Sequence, residues 1–135
     1  MTTITITLDG VPVAKGRPRF GNGRCFTPQK TAHYESYGRL AAGLAMAGRA
    51  PLEGALHASV KVCLPVPASW SKKKTDSALS GNIRPVSRPD IDNYLKLCFD
   101  AFNEIVFKDD SQIVSVSAEK VYSDKPGLVV EVTPL

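Results

Sequence analysis

The sequence predicts a single α+β domain in which a small mixed β-sheet packs against two main helices and the chain ends in a β-hairpin. Two long segments repeat their apolar residues at helical spacing, two shorter segments alternate apolar with polar residues, and two further segments near the end of the chain are rich in valine and isoleucine. No internal repeat or linker divides the 135 residues. A chain of this length can bury a core as one unit, so residues 1–135 are expected to form one domain.

The first half of the chain is expected to form a strand, a basic loop, a helix and a second strand. Residues 3–8 alternate threonine with isoleucine or leucine, which is typical of a strand. Thr27 and Pro28 suit a helix start, and helical spacing continues to about Ala47, before Gly48. Residues 56–64 then alternate again and predict the second strand.

The second half predicts a short helix within residues 69–80, a main helix starting around Asp92, and two strands. The apolar stripe of the main helix comprises Leu95, Cys98, Phe99, Phe102 and Ile105 or Val106. Residues 112–122 and 128–132 read as strands, and the strong turn signal between them predicts the terminal hairpin.

Charge is distributed unevenly along the chain. The net charge is +4, but residues 1–89 hold 13 of the 17 basic residues and 4 of the 13 acidic ones, a balance of +9. Residues 90–135 hold 4 basic and 9 acidic residues, a balance of −5. A basic front half indicates a nucleic-acid surface beside a separate acidic site, although a well-solvated surface explains the charge equally well.

Two basic segments are candidates for DNA contact. Residues 10–30 carry five basic residues and no acidic one, with Phe20 and Phe26 interleaved, a composition suited to holding phosphates and stacking bases. A lysine triplet follows Trp70, although such a triplet is usually a solvated face. The candidate DNA-binding residues are Lys15, Arg17, Arg19, Arg24, Lys72, Lys73, Lys74 and Arg88.

The chain is expected to remain in the cytoplasm as a protein with free thiols. No apolar run approaches the length of a membrane span, and the N-terminus lacks the pattern of a signal peptide. Cys25, Cys63 and Cys98 are odd in number and widely spaced, which fits neither a disulfide framework nor a zinc site.

A cluster of carboxylates in residues 88–113 is the strongest functional signal. Asp90 and Asp92 are one residue apart, Lys96 follows one helical turn later, and Asp109 and Asp110 precede the next strand. Phosphodiester hydrolysis needs an activated water and neutralisation of growing charge, which Mg²⁺ held by carboxylates supplies. The cluster therefore predicts a metal site for a polyanion, with Asp109 or Asp110 as the third carboxylate and Lys96 facing the phosphate.

Structural explanations compete at each position. Asp92 fits a helix cap, Lys96 fits surface pairs with Asp92 and Asp100, and Asp109 with Asp110 fits a turn. Each is reasonable alone, but together they leave the clustering unexplained. An EF-hand fits worse, because the glycine and glutamate positions of its loop are occupied by Leu95 and Ala101.

The chain resembles the RusA-type Holliday junction resolvases of bacteria and their phages. The blocks that carry this resemblance are Lys15–Phe20, Thr27–Pro28, Ser69–Lys74, Arg88–Lys96, Phe99–Ala101 and Asp109–Ile113. The Pro-Asp-x-Asp-Asn-x-x-Lys motif together with Asp-Asp-x-Gln is the specific part. One departure is Glu104-Ile105, where many relatives turn through a glycine.

The resemblance implies a Mg²⁺-dependent endonuclease, for which Mn²⁺ is an expected substitute, acting as a homodimer on four-way DNA junctions. It implies that Asp90, Asp92 and Asp110 bind the metal and that these aspartates and Lys96 are catalytic. Two alternatives stay open: a non-catalytic junction-binding protein of the same fold, and a metal-dependent nucleotide phosphohydrolase. The complete aspartate and lysine set argues against the first, and the extended basic surface argues against the second.

Overall fold

The computed structural model describes residues 2–16, 19–21, 24–26 and 29–135. The elements in chain order are β1 (Ile4–Asp9), β2 (Arg19–Gly21), β3 (Arg24–Phe26), α1 (Gln29–Met46), β4 (Leu56–Leu64), α2 (Lys72–Leu79), α3 (Ile91–Phe102), a 3₁₀ turn (Asp110–Gln112), β5 (Ile113–Tyr122) and β6 (Gly127–Pro134). Each predicted helix and strand is present, and most of the predicted ends lie within one to three residues of the observed ones.

Four strands form one mixed sheet in the order β1-β6-β4-β5. β6 is antiparallel to both β1 and β4, whereas β5 is parallel to β4. The parallel pair requires a crossover, which the chain makes through α2 and α3. β2 and β3 form a separate antiparallel pair within the basic loop. The predicted α+β class with a small mixed sheet is confirmed.

The predicted C-terminal hairpin is wrong, because β5 and β6 do not pair with each other. β4 lies between them, so the turn at residues 123–126 passes over the end of β4. The backbone N–H of Ser123 donates to the carbonyl of Leu64 at 2.8 Å and fixes this crossing. Neighbouring strands lie about 4.8 Å apart, so a short turn can span the roughly 10 Å between two strands that flank a third.

One face of β1, β6 and β4 is buried beneath the helices and the other, open face is exposed to solvent, whereas β5 keeps Val116 exposed on the side of the buried row. The buried side chains alternate along β1, β4 and β6, and they are Ile4, Ile6, Leu8, Leu56, Ala58, Val60, Val62, Leu128, Val130 and Val132. α1 packs on β1 and on α3. The open face carries polar side chains such as Ser59, Lys61 and Glu131.

α3 contributes a larger part of the core than its predicted stripe contains. Cys98 and Phe102 are fully buried as predicted, while Leu95 and Phe99 are only partly buried. Tyr94, Leu97 and Ala101 are buried as well. The stripe is therefore wider than predicted, and it still leaves Asp92 and Lys96 on the side of the helix away from the core.

The connection after α3 turns through a residue that is unfavourable there. Glu104 has φ 69°, in the left-handed region that favours glycine, and its N–H donates to the carbonyl of Phe107 at 2.7 Å. Glu104 thus adopts a conformation that a glycine would adopt without strain. In the part of the chain that the structure describes, no helix is long and apolar enough to cross a membrane.

Candidate active site

The start of α3 presents two carboxylates to solvent. Asp90 is the N-cap residue with an extended backbone, φ −70° and ψ 151°, but its side chain makes no capping hydrogen bond. Asp92 lies in the first helical turn and is exposed. Neither carboxylate forms a hydrogen bond or ion pair with any residue of the described ranges. The proposed cap role of Asp92 is therefore not observed, and both carboxylates are free to bind a ligand.

Lys96 and Asp100 belong to a chain of charges that runs along α3 and onto α1. The Lys96 ammonium lies 3.6 Å from Asp100, and Lys15 lies 3.3 Å from the other oxygen of Asp100. Lys15 also forms an ion pair with Glu35 of α1. The pairing of Lys96 with Asp100 is thus present, but the Lys96 side chain is 63% exposed, so this pair is weak and easily broken.

Lys15 differs from the other candidate DNA contacts because its charge is already neutralised within the protein. Burial alone would lower the pKa of Lys15, but hydrogen bonds and charge interactions with Glu35 and Asp100 outweigh it and raise the pKa. Its backbone N–H also donates to the carbonyl of Asn93 at 2.9 Å. Lys15 therefore joins the 11–16 loop to both main helices.

The segment that enters α3 is held by a lysine from the sheet. The Lys120 ammonium of β5 donates to the carbonyl oxygens of Ser87 at 2.9 Å and Pro89 at 3.0 Å. The peptide bond between Arg88 and Pro89 is cis. These contacts connect the residue directly before Asp90 with the sheet.

The two neighbouring aspartates before β5 have different surroundings. Asp109 caps the 3₁₀ turn: its carboxylate accepts from the N–H of Ser111 at 3.1 Å, and the side-chain and backbone groups of Ser111 lower its pKa. Gln112 completes the capping box and donates to the carbonyls of Leu52 and Gly54. Asp110 is half-buried, and its carboxylate forms no hydrogen bond or ion pair within the described residues.

The donor set suits a hard cation but is not assembled into a finished site. Asp90, Asp92 and Asp110 offer unpaired carboxylate oxygens, the ligands that Mg²⁺ prefers. Among the residues that the structure describes, no three His, Cys, Asp or Glu side chains lie close enough together to hold an ion. Mg²⁺ typically keeps several waters and uses one or two carboxylates plus substrate phosphates. The three aspartates thus remain a prediction that fits the chemistry of the ion.

A groove of about 760 Å³ lies beside the start of α3. Its walls include Lys15, Lys30, Arg88 and Tyr94, together with Tyr122 at the end of β5. Tyr122 packs edge-on against Trp70, with the ring centroids 5.3 Å apart. The groove therefore combines aromatic and apolar surface with cations, next to the free carboxylates.

The remaining candidate DNA contacts are spread over α2 and the basic loop. Lys72, Lys73 and Lys74 are exposed in the first turn of α2, and the Lys74 ammonium lies 4.0 Å from the centre of the Trp70 ring. Arg88 is exposed beside the groove. Arg17 lies outside the described residues, and for Arg19 and Arg24 the structure describes the strands but not the side chains.

A model of the endodeoxyribonuclease RusA family matches residues 9–133, nearly the whole chain. The chain belongs to the RusA endodeoxyribonuclease family. It is also 39% identical to the uncharacterized protein YqaN of Bacillus subtilis (strain 168) over 136 residues, which cover 96% of this chain and 95% of YqaN.

Family membership gives the class of reaction. RusA proteins are endodeoxyribonucleases, which are hydrolases acting on DNA, and the family implies resolution of Holliday junctions. RusA nucleases are generally metal-dependent. The free carboxylates at the start of α3 therefore occur in a chain whose family uses a metal for phosphodiester cleavage.

Three features of this RusA site were not predicted from the sequence: the Lys120 contacts, the pairing of Lys15, and the cap role of Asp109. One signal for Lys120 was available. β5 places it on the same side as Val116 and Ala118, where a lysine interrupts a small apolar row. Its partner across the strands is Val62, which is fully buried, so the lysine must extend toward the helical layer. The pairing of Lys15 had no signal, because its partners lie 20 or more positions away.

Proposed function

We propose that this RusA family member is a Mg²⁺-dependent Holliday junction resolvase that acts as a homodimer and makes paired symmetric nicks. The observation that carries the proposal is the pair of free carboxylates, Asp90 and Asp92, at the start of α3. These residues belong to the motif by which the chain resembles the family, and the family match extends over residues 9–133.

Asp90, Asp92 and Asp110 are the proposed ligands of Mg²⁺, with Mn²⁺ as a substitute. When bound, the ion supplies an activated water and neutralises charge that develops on the phosphate and the leaving oxygen. The three carboxylates would hold the ion in place. Asp92 also lies in the first turn of α3, where the helix dipole favours a negative group.

Lys96 is proposed to contact the scissile phosphate. Its ammonium lies one turn beyond Asp92 on the exposed side of α3, and its contact with Asp100 is long and solvent-exposed. A phosphate at the metal ligands would compete successfully for this ammonium, because charge-assisted contacts are stronger in a partly desolvated site. Asp100 would keep its ion pair with Lys15, which it shares with Glu35, after Lys96 had moved away.

The proposed DNA surface comprises Lys15, Arg17, Arg19, Arg24, Lys72, Lys73, Lys74 and Arg88. Of these, Lys72, Lys73 and Arg88 are exposed and form no ion pair within the described part of the chain, so they can bind phosphate at little internal cost. Lys15 is the least favourable member, because a phosphate would have to displace Glu35 and Asp100. Its contribution to binding is therefore expected to be indirect.

A homodimer matches the symmetry of the substrate. A four-way junction has two-fold symmetry, and resolution requires two symmetric nicks, so a two-fold dimer offers one site to each of two matching strands. Sedimentation equilibrium at micromolar concentration tests this directly. A strictly monomeric protein that still makes paired nicks would contradict the dimer proposal.

The central experiment compares wild type with Asp92→Asn on labelled four-way junctions and on linear duplex, with and without Mg²⁺. Glu131→Gln is the matched control, because Glu131 is exposed on the open face of the sheet and its substitution removes the same charge. Wild type and the control are expected to nick the junction only with Mg²⁺. Asp92→Asn is expected to reduce the nicking rate at least 10²-fold while keeping the junction affinity.

Three outcomes would decide against the proposal. Equal nicking by wild type and Asp92→Asn would contradict the assignment of Asp92 as a metal ligand. Junction binding by wild type without any cleavage would favour the non-catalytic binder. On a plasmid with an extruded cruciform, paired nicks give linear product, so accumulation of nicked circles alone would contradict coordinated cleavage.

A further inference from the structure

Lys120 is outside the proposed metal and DNA sites, yet it makes specific contacts with the segment that enters α3. It lies near the end of β5, opposite the buried Val62, and extends toward the helices. Its ammonium donates to the carbonyls of Ser87 and Pro89 at 2.9 and 3.0 Å. Two of its three donors are thus occupied by backbone oxygens of one short segment.

The segment that Lys120 holds has little other backbone support. In the described chain, no backbone–backbone hydrogen bond outside the helices and strands involves residues 84–89. Pro85 is buried, but residues 86–89 are exposed. The Arg84–Glu119 pair at 3.8 Å is exposed on both sides and adds little. The position of the segment next to Asp90 is therefore set largely by Lys120.

We infer that Lys120 is a positioning residue for the Asp90 carboxylate, and this inference rests on the proposed nuclease function. Asp90 directly follows the held Pro89 and does not use its side chain as a helix cap. The position from which this carboxylate extends is consequently set by the backbone on either side of Asp90. Because a displacement of about 1 Å at a reacting group can cost on the order of 10²-fold in rate, a lysine that holds this backbone affects the reaction without touching the substrate.

The test uses three variants. Lys120→Met removes the charge and both hydrogen bonds but keeps the unbranched side chain. Lys120→Arg keeps a cation that can donate to two carbonyls. Lys61→Met is the matched control, because Lys61 is exposed on the opposite face of the same sheet. If Lys120→Met fails to fold, Lys120→Gln, whose amide can donate to one carbonyl, replaces it.

Hydrogen exchange gives a readout that is independent of activity. In Lys120→Met, amides of residues 93–96, the first hydrogen-bonded amides of α3, are expected to exchange at least tenfold faster than in wild type, with the core of the sheet unchanged. The Mg²⁺ concentration for half-maximal nicking is expected to rise about tenfold and the nicking rate to fall 10- to 100-fold. Junction affinity without Mg²⁺ should stay within twofold. Lys120→Arg should recover most of each value.

Unchanged exchange of residues 93–96 in Lys120→Met would overturn the inference, whatever the activity. A reduced junction affinity with normal Mg²⁺ dependence would also overturn it, because it would show direct contact with DNA. If wild type nicks no junction, the proposed function fails, yet the exchange comparison still decides whether Lys120 holds the segment. The two failures are thereby distinguished.

Discussion

Asp109 and Asp110 are adjacent in the sequence but differ in what their carboxylates contact. The Asp109 carboxylate is used inside the protein, where it accepts from the N–H of Ser111 and forms part of a capping box. The Asp110 carboxylate has no such partner among the described residues. The difference makes it possible to separate folding from catalysis with substitutions at two neighbouring positions.

We predict that Asp109→Ala lowers the free energy of unfolding in urea, whereas Asp110→Ala leaves it nearly unchanged and abolishes nicking. Asp109→Asn is the control, since its amide oxygen can still cap. The folded-state pKa of Asp109 is lowered, so its stabilisation is present above pH 3.8 and disappears as pH falls through the lower folded-state value. The gap between wild type and Asp109→Ala should therefore close in acid. Equal instability of the two alanine variants would contradict this prediction.

Lys15 is a second residue whose role depends on its surroundings. The basic run that it begins predicts a contact with DNA, yet its ion pairs with Glu35 and Asp100 connect the 11–16 loop to α1 and α3. Charge-assisted hydrogen bonds of this kind contribute about 1.5–3 kcal/mol each when they are shielded from water. With the side chain 23% exposed, the lower part of that range applies.

We predict that Lys15→Met lowers the free energy of unfolding by about 1–3 kcal/mol at pH 7. Lys125→Met, at an exposed turn, should change it by less than about 0.5 kcal/mol. The folded-state pKa of Lys15 is raised, so its stabilisation is complete below pH 10.5 and is lost as pH rises through the higher folded-state value. Urea titrations at pH 8 and pH 11 should show the difference shrinking, and a constant difference would argue against the ion pairs.

At the scale of the elements, the close contact between α1 and α3 depends on one glycine. A Cβ built at Gly38 would lie 3.2 Å from the Cβ of Ala101, which is tighter than an ordinary contact. A Cβ at Gly43, in the same helix, would meet nothing within 4 Å. Replacing either glycine by alanine gives the same gain in intrinsic helix propensity. Only at Gly38 does the added Cβ meet a neighbouring helix.

We predict that Gly43→Ala raises the free energy of unfolding by about 0.5–1 kcal/mol, because alanine loses less backbone entropy in a helix. Gly38→Ala should give a smaller gain or a decrease, since Ala101 has to move. Gly38→Val should destabilise by about 1–3 kcal/mol through overpacking. Urea denaturation of the three variants measures this, and equal effects of alanine at both positions would refute the proposed close contact.

Periodicity predicted which segments form elements but not which strands pair. The alternation in residues 56–64 predicts a strand with one buried face, and β4 has those bounds. Alternation does not show which strands are the neighbours of β4 in the sheet. The short turn between β5 and β6 therefore predicted a hairpin, although β4 lies between these two strands. Local spacing likewise predicted Asp92, Lys96 and Asp100 on one side of α3. The contacts of Lys120 and Lys15 depend on segments 20 or more residues away and had to be seen in the fold.

At the scale of the whole molecule, charge and shape locate the proposed DNA surface. Arg88 and the groove adjoin the start of α3, whereas the open face of the sheet carries Lys61 with Glu119 and Glu131. The lysines of α2 are exposed cations that form no ion pair in the described chain. If the proposed surface is right, the lysines of α2 should strengthen DNA binding, whereas a lysine on the open face of the sheet should have little effect on it.

This difference can be measured through salt dependence. We predict that the double variant Lys72→Met/Lys73→Met weakens binding and lowers the slope of log affinity against log salt by roughly 0.9 for each phosphate that is no longer neutralised. Each lysine occurs twice in the proposed dimer, so a reduction of roughly 3–4 is expected if all four lysines bind phosphate. Lys61→Met/Lys125→Met removes the same charge elsewhere and should leave the slope unchanged. Because both double variants change net charge equally, a reduction in both would indicate that overall charge, rather than a surface around α2, attracts the junction.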